Sequence, residues 1–233
     1  MPEPTLDRRL LLGGLALAGA AAAAPAAQAQ APAGGAFNPQ PQPLPFDPKA
    51  VPGLSEKLLT SHHDNNYAGA VKRIGAIRSE FAKLDPATAP GFMINGLKRE
   101  ELLAWNSMIL HEVYFASLSP AAPASPGLAQ AVERDFGSHD RWAAEFAGMG
   151  KALGGGSGWV LLTWSPHDRR LVNAWASDHT QGLAGGMPLI ALDMYEHAYH
   201  MDYGAKAGAY VDAFMKVVSW RHASEAFRRA SAA

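Results

Sequence analysis

The chain has 233 residues, a formal net charge of −1 and no cysteine. Disulfides, thiolate metal sites and a cysteine nucleophile are therefore excluded, and any metal must be held by nitrogen and oxygen donors. The near-neutral balance gives no electrostatic case for nucleic acid or an anionic membrane as partner.

In chain order the first element is a leader. Arg8-Arg9 precede an uncharged apolar run from Leu10 to Ala24, and Ala27-Gln28-Ala29 supplies a small-residue cleavage site. That order predicts a cleavable export signal over residues 1–29; the run is too short to span a bilayer, so no stable membrane anchor is expected. The paired arginines point to the twin-arginine route, with a general secretory signal as the alternative, and the expected location is periplasmic or secreted. Residues 30–52 are rich in Pro, Ala, Gly and Gln. They predict a linker in extended or polyproline conformation that docks only near its end.

Residues 53–120 are expected to form a long helical hairpin. "SEKLLTSHHDNNYAGAVKRIGAIRSEFAKL" opens with Ser55 as N-cap, has no internal proline and places Leu58, Val71, Ile74 and Ile77 at helical spacing. "KREELLAWNSMILHEVYFASL" predicts a second long helix, stopped at Ser119-Pro120. "SPAAPASPG" marks a boundary, and residues 121–233 follow as a second part. There, "GLAQAVERDFGSHDRWAAEFAGMGKAL" predicts two shorter helices broken at Gly137, with Ser138 as a cap. "WVLLTW" and "RRLVNAWA", joined through "SPHD", predict two strands, and "MPLIAL" a third that ends at Asp193. Helical spacing returns from Tyr195 onward. The order α, α, then α-α-β-β-β-α gives an α+β fold.

Four ionisable residues lie on apolar stretches, where such side chains are costly unless paired or ligated. His62 shares a stripe with Leu58, Asn66, Ala70 and Ile77, and His111 shares one with Ser107 and Leu118. Asp193 ends the third strand, and His197 follows four residues later. The residues alone fit two readings. Asp193 and His197 can be an ion pair, with the other imidazoles as satisfied core histidines; or all four can share an ion. Three imidazoles and a carboxylate suit iron, manganese or zinc. Zinc hydrolases use the same donor types, so the donors leave the reaction open.

"DMYEHAYHMDYG" resembles the D-x-W-E-H-A-Y-Y signature of the iron/manganese superoxide dismutase family. "SHHDNNYAGAV", "LHEVYFASLSP", "DFGSHDRWAAEF" and "GGGSGWVLL" resemble that family's other segments, in the right order, from about Leu44 to Trp220. The resemblance implies a helical hairpin followed by an α+β part with a three-stranded antiparallel sheet. It also implies one iron or manganese ion per chain, held by His62, His111, Asp193, His197 and a solvent molecule, with superoxide as substrate. His63 is then a neighbour and not a ligand. Glu196 matches the residue that bonds the partner subunit's ligand histidine in a homodimer with its sites near the interface, and Trp159 matches an aromatic wall. A Gln or His that bonds the metal's solvent sits on one of two segments in the family. Ser107 occupies the first and is not Gln, so the resemblance gives that role to His179 on the second.

Three positions depart from the family's pattern. Ala70 stands where a gateway Tyr is usual, Asn66 where a gateway His is usual, and His200 where the second Tyr of E-H-A-Y-Y is usual. Tyr67 lies well over 100° round an α-helix from His62, so it is no obvious replacement. Metal binding is thus expected intact and proton delivery altered, with Asn66 meeting His200 across the interface. The alternatives are a metal-binding homologue with weak or lost dismutase activity, which Ala70 favours, and an oxygenase of the same donor set, which would need a wide apolar cavity.

Overall fold

Ser55 opens the first helix with its hydroxyl accepting from the Leu58 N–H at 3.1 Å. Helices α1 (Glu56–Ser61) and α2 (Ala68–Phe81) then form one continuous rod through a π-helical segment, His62–Tyr67. Leu58, Val71, Ile74 and Ile77 are all buried, as their spacing predicts. This computed structural model describes residues 39–118 and 120–232. The expected export signal and the first part of the expected linker lie outside the described residues.

The second rod, α3 (Gly91–Ala116), packs antiparallel along α2 and completes the hairpin. It starts seven residues before the expected "KREELL" boundary. The Pro90 carbonyl accepts from Met93 and Ile94, and Pro90 gives up no hydrogen bond there because a helix start leaves its N–H positions unpaired anyway. Phe92 is 78 % exposed, so the first turns carry no core-facing stripe for the sequence to reveal.

In the second part, α4 (Pro126–Phe136) is capped by Ser125 and ended by Gly137, whose φ of 86° is the left-handed stop that glycine adopts without strain. Ser138 then caps α5 (His139–Ala152), accepting from the Arg141 N–H. Strands β1 (Trp159–Ser165), β2 (Arg170–Ala176) and β3 (Met187–Asp193) make an antiparallel sheet in the order β2-β1-β3. Pro188 sits on the edge strand β3 beside a slip in register between Leu162 and Thr163. An edge or a bulge is where a missing N–H does least harm. Gly158 has φ 135°, and a Cβ there would collide with the Ala176 carbonyl. This glycine lets the start of β1 approach the end of β2, while register places Trp159 directly opposite Asp193.

The chain ends in α6 (His200–Tyr203), α7 (Ala207–Val217) and α8 (Trp220–Ser231). One face of α8 buries Trp220, Ala223 and Ala226 against the sheet and α4. Both parts feed one core, so α3 lies directly on β3. That contact brings the hairpin's polar residues to the end of the sheet. No helix among the described residues is long and apolar enough to cross a membrane.

The linker docks earlier than expected. His63 Nε2 lies 2.8 Å from the Gln42 carbonyl, and the Gln42 N–H donates to the Tyr67 hydroxyl at 2.9 Å. An extended segment leaves every second backbone group free to bond outward, and His63 and Tyr67 take up this pair.

Candidate metal centre

His62, His111, Asp193 and His197 converge from four elements. Each offers a ligand atom, and these atoms all lie within 4.8 Å of one another. His62 and Asp193 are fully buried, His111 nearly so, and the His197 side chain is 27 % exposed. Asp193 Oδ2 is the hub: it lies 3.1 Å from His62 Nε2, 3.2 Å from His197 Nε2 and 3.6 Å from His111 Nε2. Its other oxygen accepts from the Tyr195 N–H at 2.8 Å, which fixes the carboxylate as the chain leaves β3.

The local fold explains each placement. The π segment is marked by the Ala68 N–H reaching back to the His63 carbonyl, an i→i+5 bond. Such bonding stacks residues five apart on one face, so His62 and Tyr67 are both buried. The α-helical angle predicted for Tyr67 therefore does not hold. Tyr67 nonetheless faces away from the cluster's opening. Its hydroxyl donates to Glu112 and accepts from Gln42, and burial pushes its pKa up to about 12.

His111 shows the clearest preparation. Its Nδ1 is 2.6 Å from the Ser107 carbonyl, an acceptor only, so the proton sits on Nδ1 and Nε2 presents a lone pair. That Nε2 is buried without a hydrogen-bond partner, as is His62 Nδ1. A buried polar atom with no partner is costly, and a metal ion is one way to satisfy His111 Nε2, which faces the other donors. Burial lowers the His111 pKa to about 3 and lowers that of His62 as well, against the pull of Asp193. Burial alone would raise the Asp193 pKa, but His197 and His62 overcome it and hold the carboxyl below its usual range. His62 and His111 are therefore held as neutral imidazoles beside an anionic carboxylate, the protonation states that metal binding needs. The residues fit a single first-row ion with nitrogen and oxygen donors.

Around this cluster Trp159 is fully buried, its ring 5.3 Å from that of His111 and edge-on to it. The Trp159 Nε1–H donates to His179 Nδ1 at 3.0 Å. Indole nitrogen is a donor only, so neutral His179 carries its proton on Nε2. His179 is half-buried, its ring 6.1 Å from that of His111. Burial lowers its pKa and so favours this neutral form. Sequence reasoning missed Tyr195, whose ring stacks on His179 at 4.8 Å and on His197 at 5.4 Å. Its place between the two motif residues Asp193 and His197 was the available signal.

Asn66 is half-buried and Ala70 buried. Both line an open cavity of about 300 Å³ that reaches Ser107 and His179. Glu196 and His200 are exposed on the surface beside His197. The structure thus brings His62, His111, Asp193, His197, Trp159 and His179 together, and sets Asn66 at the cavity. Glu196 and His200 lie outside the cluster.

Comparison with known proteins agrees with this geometry. Residues 124–226 match the family model for the C-terminal domain of iron/manganese superoxide dismutases. The chain is 65 % identical over 184 residues to a protein of Cupriavidus metallidurans named superoxide dismutase [Fe], covering 79 % of this chain and 93 % of that one. It is 36 % identical over 192 residues to superoxide dismutase [Mn] 1 of Halobacterium salinarum, covering 81 % and 94 %. It is 31 % identical over 191 residues to superoxide dismutase [Fe] of Aquifex pyrophilus, covering 78 % and 88 %. The order of helices and strands, the four converging donors and these likenesses together place the chain in the iron/manganese superoxide dismutase family.

Proposed function

We propose that the protein is a superoxide dismutase that converts two superoxide anions and two protons into dioxygen and hydrogen peroxide. The observation that carries this reading is the buried four-donor cluster, with its ligand atoms within 4.8 Å and one of them, His111 Nε2, without a hydrogen-bond partner. Iron or manganese, held by His62, His111, Asp193 and His197, supplies an electron acceptor for one superoxide and an electron donor for the next. Iron is our choice, because the relative at 65 % identity carries the iron name.

The chain's own residues supply the rest. Ser107 holds His111 in the tautomer that leaves Nε2 free. Trp159 and Tyr195 shield the cluster, and Trp159 keeps the His179 proton on Nε2, where it can be donated to an oxygen at the site. The cavity beside Asn66 and Ala70 is the way in for a small anion. Loading the protein with iron or with manganese and following superoxide decay by stopped flow tests this. The iron form should accelerate decay catalytically, and a loaded protein no faster than free metal would contradict the reading. Ala70, which offers no hydroxyl at the cavity, favours the second reading, a metal-binding homologue of weak turnover. The same assay separates the two.

The finer assignments are also ours. We take the chain to work as a homodimer in which Glu196 accepts a hydrogen bond from the partner's His197. The exposed Glu196, next to the half-buried His197 on the short helix Glu196–Ala198, supports this. We take residues 1–29 to direct export by the twin-arginine route, so that the folded protein reaches the periplasm or the outside with its ion already chosen in the cytoplasm. Replacing Arg8 and Arg9 with Lys should trap folded, metal-loaded precursor inside the cell; unimpaired export would point to the general secretory route.

A further inference from the structure

The geometry points to Asn106 as the positioning residue that holds His179 over the metal cluster, and we propose that role for it. Asn106 is half-buried on α3, one residue before Ser107. Its amide Nδ2 donates to the His179 carbonyl at 2.6 Å, a bond that crosses from the helical hairpin to the loop between β2 and β3. That loop needs an external tie. Its own bonds are local: Asp178 accepts from the Thr180 N–H and hydroxyl, and Gln181 accepts from the Ser177 N–H. They shape residues 177–181 but do not fix the loop against α3.

At His179 restraints meet from β1, from α3 and from Tyr195 beside the cluster, whose side chain also accepts a hydrogen bond from the His179 backbone. The Trp159 indole of β1 bonds the ring, the Tyr195 ring stacks on it at 13°, and Asn106 of α3 bonds the backbone. The first sets the tautomer and the second sets the ring plane. The third sets how far the whole residue stands from His111, which is anchored to the same helix by the next residue, Ser107. Consecutive residues of α3 thus position two imidazoles whose centroids are 6.1 Å apart. Changes in such outer partners typically cost about 10–100-fold in activity or metal affinity.

The test uses the full chain and two variants. Asn106→Asp keeps the shape and removes the donor; Asn106→Leu removes the polarity as well. The first readout needs no metal: the indole ¹⁵N–¹H resonance of Trp159, which senses the bond to His179. It should shift in both variants. The second readout rests on the dismutase reading: at equal metal content, Asn106→Leu should lower kcat/KM about 10-fold or more. Added to His179→Ala, it should lower it no further. A Trp159 resonance unmoved in both variants would overturn the proposal. So would a loss of the same factor with and without the His179 ring. A resonance that shifts in both variants, with no turnover by the metal-loaded wild type, would remove the dismutase reading and leave Asn106 in its positioning role.

Discussion

The metal cluster and the mouth above it are built on opposite terms. In the cluster, His62, His111 and Asp193 are buried, and two of the donors are oriented by a neighbour: His111 by the Ser107 carbonyl and Asp193 by the Tyr195 N–H. At the mouth, Asn66 is half-buried and Ala70 offers only a methyl group, and on the surface beside His197 both Glu196 and His200 are exposed. Burial makes the cluster unforgiving, since a charge or polar atom without its partner there costs several kcal/mol. Water can satisfy the mouth, so its residue types are free to vary. Substitutions in the two regions are therefore expected to have different signatures, on metal content for the cluster and on turnover for the mouth.

The sharpest contrast is between a histidine inside the cluster and one outside it. His111→Ala should abolish stoichiometric metal binding, because it removes one donor from a buried set of four. His63→Ala should leave metal content nearly unchanged, since its ring bonds Gln42 and Asp64 away from the cluster. Metal retained in the first and lost in the second would show that the ligand assignment is wrong.

The next largest effect tests whether the exposed rim becomes part of the site in a dimer. Glu196→Ala should weaken both self-association and metal retention, by about 10-fold if Glu196 orients the partner's His197. Sedimentation and metal analysis at low concentration check this; a variant that stays dimeric and fully loaded would remove Glu196 from the site.

A smaller effect is expected from acid on the metal-free protein. Burial keeps folded His111 neutral down to a pKa of about 3, against 6.5 in the unfolded chain, and His62 is shifted in the same direction. As pH falls below 6.5 the unfolded chain takes up these protons first, so stability declines from 6.5 towards 3. The slope is at most about 1.4 kcal/mol per pH unit for each histidine. Urea unfolding at pH 7 and pH 5.5 should give the lower midpoint at 5.5; equal midpoints would mean that these imidazoles are not held neutral.

The smallest effects belong to the mouth. Ala70→Tyr and His200→Phe should each alter turnover and leave metal content unchanged. Turnover identical to wild type would take His200 out of the reaction.

Much of this was legible in the sequence, for reasons that also explain the gaps. The three strands, the stop at Gly137 and the caps at Ser55 and Ser138 follow from local rules that burial reinforces. The four donors were visible because ionisable residues on apolar stretches demand an explanation. Resemblance then supplied His179, which no spacing could reach. The π segment was hidden because one extra residue per turn leaves no compositional trace. The early start of α3 was hidden because Phe92 and Met93 are exposed and give no periodic stripe. Asn106 was invisible because it bonds the backbone of a loop 73 positions away, and a backbone carbonyl has no residue type to recognise.

The central claim is that one ion sits at the point where these four donors converge. Anomalous diffraction at the iron or manganese absorption edge tests it directly. One peak per chain is expected, within ~2 Å of His62 Nε2, His111 Nε2, Asp193 Oδ2 and His197 Nε2. A peak placed elsewhere, or one bonded to His63 or Asp64 in place of His62, would contradict the account.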